Sequence, residues 1–270
     1  MIRAAKYLTP LLVFLLAMLA FNSTGIFTYA AVFFAWILIP AIELMLPPNP
    51  RNLSAAEEEI ARKNPVYDWI LYCIVVLQIL SIFYFLYQMK ADASILTGTD
   101  ILGRVLTMGL LCGTFGINVG HELGHRIKRH EKWLARFSLM SSLYIHFYIE
   151  HNKGHHKRVA TFDDPSTARY GEPVYLFWFR SIKNCYLGAW EIAKKETRKK
   201  GKPVFSLYNE MVQIQFIQML FVLTLWLGFG WPVILYFFMA ALIGILLLES
   251  VNYIEHYALQ RKEIAPGKFE

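Results

Sequence analysis

The stretch ILGRVLTMGLLCGTFGINVGHELGH, residues 101–125, runs from an apolar segment straight into two histidines four apart. Its apolar part, Ile101–Gly120, approaches the roughly 20 residues a helix needs to cross a bilayer. Five further segments read the same way: Tyr7–Phe21, Phe27–Leu46, Val66–Gln88, Phe205–Gly228 and Trp231–Tyr253. The first two join through Asn22-Ser23-Thr24-Gly25, a turn sequence, and form a helical hairpin. A cleaved signal peptide would require a small-residue cleavage site followed by a soluble domain, and neither is present. The expected fold is all-α: one integral membrane domain over 1–270 with six transmembrane helices and a cytoplasmic-side helical region over 121–203 that holds most of the histidines.

Composition agrees. The chain is 56% apolar and 17% charged, less charge than a soluble domain of this size carries on its surface. Cys73, Cys112 and Cys185 are scattered without a CxxC pair, which excludes a disulfide scaffold or an iron–sulfur domain within the chain. Any electrons needed must come from another chain.

The net charge of +7 is distributed by topology. Lys and Arg number 2 before the first span (Arg3, Lys6), 3 in the loop 47–65 (Arg51, Arg62, Lys63), 17 in 121–203 and 3 in the tail (Arg261, Lys262, Lys268). Only Lys90 and Arg104 fall elsewhere. With an even number of spans, every basic segment and both termini are expected on the cytoplasmic side. Nucleic-acid binding is then unnecessary to explain the charge. Within 121–203, Trp133–Ile149 mixes an apolar helical run with Arg136 and Tyr144. Pro173–Lys200 reads as an amphipathic helix, apolar early and basic late. It either lies in the membrane interface or offers an acidic partner a docking surface.

The eight histidines all fall on that side. His121 and His125, in HELGH, share one helix face and can reach one metal. Alone, this motif also fits a zinc protease with Glu122 as general base. His151 and His155 repeat the spacing, and the adjacent His156 suits a second metal, because a mononuclear catalytic zinc needs only three protein ligands. His256, where the last span leaves the membrane, arrives on the same side. His130 lies in a basic run and reads as solvated, and His146 reads as a residue behind the ligands. Imidazole-rich ligation suits iron, copper or zinc, and two iron ions suit oxygen activation beside a lipid-lined cavity. Glu122, Glu150, Asp164, Asn252 and Glu255 are candidates, with His146, for orienting the ligands from behind.

The strings HELGHR (121–126), EHNKGHHKRVAT (150–161), DPSTARYGE (164–172) and NYIEHYALQR (252–261) resemble the bacterial membrane alkane 1-monooxygenases, histidine-box enzymes akin to fatty acid desaturases and xylene monooxygenase. The resemblance covers essentially the whole chain. It implies His121, His125, His151, His155, His156 and His256 as ligands of a non-haem di-iron centre. It also implies O2 as oxidant, an alkane as substrate, rubredoxin (with rubredoxin reductase upstream) as electron donor, and a bacterial inner-membrane location among membrane lipid. Ala258 and Phe162 stand where the family usually has glycine and proline. A final box of the form LQRHSDHH, with three more ligands, does not occur before Glu270, so the chain reads as C-terminally truncated and is expected to lack turnover alone. The competing readings are a membrane zinc metalloprotease and a related desaturase or aryl-methyl hydroxylase.

Overall fold

The computed structural model describes residues 9–47, 52–265 and 268–269. Tyr7, Arg3, Lys6 and Arg51 therefore lie outside the described residues, as do the side chains of Arg62 and Lys268.

The chain is a bundle of apolar helices: α1 (Thr9–Phe21), α2 (Gly25–Met45), α3 (Ala55–Arg62), α4 (Pro65–Ala91), α5 (Gly98–Gly124), α6 (Arg129–Met140), α7 (147–158), α8 (Val174–Lys199), α9 (Glu210–Phe229) and α10 (Trp231–His256). Five of these, α2, α4, α5, α9 and α10, are long and apolar enough to cross a membrane. The first expected span is a helix, but its 13 described residues reach only about 20 Å, short of a hydrocarbon core of about 30 Å. In place of six spans, five are found among the described residues, with α1 as a short apolar helix beside them. One antiparallel pair, β1 (Glu263–Ala265) with β2 (Lys268–Phe269), departs from an all-α fold.

Local chemistry sets the helix ends. Asn64 caps α4 by accepting from the Val66 amide at 3.1 Å, with Pro65 in the first turn. Thr97 and Asp100 form a reciprocal capping box at the start of α5. The fifth apolar segment becomes helical only at Glu210, five residues later than expected, because Asn209 caps Met211 while its Nδ2 donates back to the Val204 carbonyl at 2.8 Å.

At the end of the bundle away from the histidines, Arg104 is 1% exposed and its Nη2 donates to Asp92 and to the Ser23 carbonyl, each at 2.8 Å. The Gly25 amide donates to Asp100 at 2.6 Å, tying the α1–α2 turn to α5. Further in, α5 and α10 approach so closely that a Cβ on Gly244 would lie 2.7 Å from the Cys112 Cβ. Only glycine permits that contact, which aligns the two spans that end in His121, His125 and His256.

The sequence reading did not anticipate the path of α6. After His125 the chain turns back, and α6 runs beside the second half of α5 rather than over it. Ser138 donates to the carbonyls of Phe115 and Gly116 (3.2 and 2.7 Å), and Ser142 to that of Cys112 (3.4 Å). These carbonyls belong to a π turn over Cys112–Ile117, whose wider winding leaves backbone acceptors needing donors. Irregular backbone at membrane depth is tolerated where protein buries it, and Ser138, Ser141 and Ser142 are all buried. α6 ends with the Tyr144 amide donating to the Leu139 carbonyl and the Leu143 amide to that of Met140. Leu143 takes φ +53° at the position glycine usually fills. The chain then climbs back through Tyr144 and α7.

Candidate metal centre

Two helix ends and one π turn bring the histidines together. His121 sits on the last turn of α5, and His125 caps its C-terminal end. The Nε2 atoms of His125 and His151 each lie 2.8 Å from Nε2 of His121. His151–His155 is itself a π turn within α7. Its wider winding lets residues four and five apart flank one face, so His156 turns towards His125 and His151 (ring centroids 4.9 and 4.5 Å). His155 lies on the far side of His151 and meets His256 from α10 at 5.1 Å. All six expected ligands thus share one cluster, with His121, His125 and His151 converging on one point and His155 with His256 beside them.

Electrostatics favour the neutral imidazole at His151 and His156. Burial, and then the neighbouring rings of His121, His155, His156 and His125, push the His151 ring far down from its ordinary value. Burial, and then the rings of His125 and His155, lower His156. Neutral rings with unprotonated nitrogens are the form that binds a metal.

Asp164 is buried, and both its oxygens lie 3.0 Å from Nδ1 of His155. It also accepts from the Thr167 hydroxyl at 2.5 Å and the Ser166 amide at 3.4 Å. Burial alone would raise the Asp164 carboxyl, but the His155 ring, Thr167 and Ser166 together hold it below the usual carboxylate range. With Nδ1 donating to Asp164, the His155 Nε2 is left to face a metal.

The other expected supports are placed differently. Glu150 is hydrogen-bonded to Arg158 rather than to a ligand ring. Its Oε1 accepts from Arg158 at 2.5 Å across the backbone of Gly154, where a Cβ would lie 2.7 Å from the Arg158 Nη2. Burial raises Glu150 to about 7 despite Arg158. This strap runs from the residue before the π turn to the third residue after it, a feature the spacing of the histidines does not reveal. Glu122 is half-exposed and accepts from Arg126 at 2.8 Å. His146 is buried with both ring nitrogens unpartnered, edge-on to Tyr144 and Tyr186 (4.6 and 5.1 Å), outside the cluster. Asn252 donates to Glu249 at 3.3 Å, and Glu255 is exposed. His130 meets Tyr72 at 3.2 Å, away from the site.

Sequence reading also passed over a run of parallel rings. Tyr144, Phe147, His151 and His155 stack in succession at centroid distances of 5.7, 4.7 and 5.1 Å and interplanar angles of 18°, 26° and 20°. The signal was present as spacing: three, four and four residues, one face of a helix.

Six imidazoles gathered where apolar spans end, one of them oriented by a buried carboxylate, define a membrane histidine-cluster protein built to hold metal. The chain belongs to the fatty acid desaturase family, whose family model matches residues 100–268. It is 32% identical to an alkane 1-monooxygenase of Pseudomonas putida over 247 residues, covering 91% of this chain and 60% of that protein. To alkane 1-monooxygenase 1 of Alcanivorax borkumensis it is 31% identical, covering 90% and 59% of the two chains. An alkane 1-monooxygenase of Ectopseudomonas oleovorans is 37% identical over 171 residues, 63% of this chain and 42% of that one. The chain spans about 60% of the length of the first two relatives.

Proposed function

We propose that this protein takes part in the O2-dependent hydroxylation of an alkane terminal methyl group to a primary alcohol, at a di-iron centre in a bacterial inner membrane. The observation that carries this reading is the convergence of His121, His125 and His151 with a second pair, His155 and His256, alongside. Likeness to alkane 1-monooxygenases supports the substrate class. The donor set fits the metal: three Nε2 atoms converge on one point, and Asp164 turns His155 so that its Nε2 is free. Iron held by these imidazoles would supply the activation of O2 for attack on a C–H bond.

The protein's own part is to hold and shield. His121, His125, His151 and His156 would ligate on one side, and His155 and His256 on the other. Asp164 keeps His155 in one tautomer and orientation. Phe147, stacked on His151 and edge-on to His121 at 6.2 Å, excludes water from the membrane side of the cluster. Residues 1–270 hold no CxxC pair of their own, and rubredoxin is our candidate electron donor. The 17 Lys and Arg residues of 121–203 support a cytoplasmic side for the histidine cluster.

Glu122 weighs against the zinc protease alternative. A general base should face the metal-bound water, whereas Glu122 is 52% exposed and engaged by Arg126. The deciding experiment is metal content and product analysis of the intact gene product with a series of alkanes and reduced rubredoxin. Two irons per chain and primary alcohols are expected. One zinc, no iron and peptide hydrolysis that Glu122→Gln abolishes would overturn the reading.

A further inference from the structure

The ring stack that begins at His155 ends at a buried acid. Tyr144, 1% exposed, donates its phenolic hydrogen to Glu249 Oε1 at 3.0 Å. Glu249 is itself 1% exposed, and its other oxygen accepts from Asn252. Oε1 accepts from Tyr144 and Oε2 from Asn252, so each carboxyl oxygen has a donor within hydrogen-bond reach. Among the described residues no Lys, Arg or His side chain forms an ion pair with it. An intramembrane acid outside any ion pair is costly and is a functional candidate by default. The ligand set does not use it: Glu249 lies two helical turns before His256, and Tyr144 seven residues before His151.

We propose that Tyr144 and Glu249 form a redox-active tyrosine with its own proton acceptor, connected to the metal centre through the Phe147–His151 stack; this rests on the proposed function. A phenol is hard to oxidise while it keeps its proton and far easier when a base takes the proton in the same step. Glu249 is that base, already hydrogen-bonded. When an oxidising equivalent at the centre finds no substrate, Tyr144 gives it one electron. The phenolic O–H bond breaks, its proton forms an O–H bond on Glu249 Oε1, and a neutral tyrosyl radical remains. The centre is reduced by one electron. Supply of one electron from the external reductant returns the proton to Tyr144. The stack thus offers a path by which an unused oxidising equivalent leaves the imidazole ligands without damaging them.

Aromatic contact favours this geometry. Tyr144, Phe147 and His151 lie within 26° of parallel at each step, and offset stacks of this kind are stable arrangements in their own right. A purely structural role for the pair would require the hydrogen bond and the packing, but not a proton acceptor aligned with a ring stack that reaches a metal ligand.

The test uses the intact iron-loaded protein in nanodiscs, treated with hydrogen peroxide without substrate, freeze-quenched and examined by EPR, with iron measured on the same samples. The expected result is an organic radical with ring-proton hyperfine structure, which narrows when ring-deuterated tyrosine is incorporated. Tyr144→Phe, which keeps the ring stack, should lose this signal at unchanged iron content. Glu249→Gln, which keeps a hydrogen-bonding group but not the base, should reduce its yield by more than half, as should Phe147→Leu with Tyr144 in place. An iron-loaded wild type without a tyrosyl signal, or a signal undiminished in Tyr144→Phe, would overturn the redox-active tyrosine alone. Protein that binds no iron would overturn the di-iron reading beneath it as well.

Discussion

The Asp164 carboxylate faces Nδ1 of His155 with both oxygens at 3.0 Å, nine residues along a chain that turns back to bring them together. The Thr167 hydroxyl and Ser166 amide hold the acid from its other side. The imidazole is therefore fixed in plane and tautomer before a metal arrives.

Asp164→Asn keeps the shape but loses the charge that makes this hydrogen bond strong. Removing such partners of metal-bound histidines typically lowers affinity about 10- to 100-fold. Competitive metal titration of the variant should show a loss of that size, with unchanged helical content by circular dichroism. Unchanged affinity would mean that Asp164 only packs the loop.

Gly154→Ala should be more damaging than its size suggests. The new methyl would lie 2.7 Å from the Arg158 Nη2 and 2.9 Å from the Glu150 Cδ, inside the strap across the histidine-bearing turn. Overpacking of this kind costs about 1–3 kcal/mol. Gly188→Ala, whose methyl would meet the Glu150 Cγ at 3.1 Å, should cost less. Thermal unfolding in detergent ranks the two, and the reverse order would refute the strap.

His146 predicts the response of the metal-free protein to acid. Burial pushes its ring down to about 4, against 6.5 for the ordinary group. The unfolded chain therefore takes up a proton below about 6.5 that the folded chain refuses until about pH 4, so stability falls as pH drops through that window. Near pH 5 the loss from this residue is about 2 kcal/mol relative to neutral pH. His146→Phe removes that proton uptake and two unpartnered buried nitrogens, so the variant should be at least as stable at neutral pH and lose less on acidification. Parallel pH–unfolding curves for the two proteins would contradict it.

Asp92→Ala tests the opposite end. It leaves the Arg104 guanidinium buried with only carbonyl partners. Asp92 is 26% exposed, so the cost should fall below the about 3–5 kcal/mol of a fully buried pair. The unfolding temperature should drop while metal stoichiometry stays the same, because this latch is remote from the histidines. A change in metal content would show that the two ends are coupled.

Much of this molecule was legible in linear order. Apolar length marked four of the six expected spans closely, and i,i+4 spacing marked His121 with His125 and His151 with His155, because a helix turns adjacent sequence into a face whatever surrounds it. His256, a hundred residues further on, joined the others through its arrival on the same membrane side and then through the family likeness, because helix spacing does not reach that far. The first expected span starts outside the described residues, and its described part is a short apolar helix, a composition that spanning helices share.

What the sequence by itself determined is a membrane-helical chain with histidines at the ends of its apolar segments. Only the tertiary structure decided which polar groups meet. Glu150, beside His151 in sequence, pairs with Arg158, while Asp164 reaches His155 because a turn carries it there. Tyr144 finds Glu249 across 105 positions only because α6 turns back beside α5 and the chain climbs again. The physical reason is range: helix periodicity is set by bonds between near neighbours, whereas the partner of a buried acid is set by whichever distant donor the packing leaves beside it.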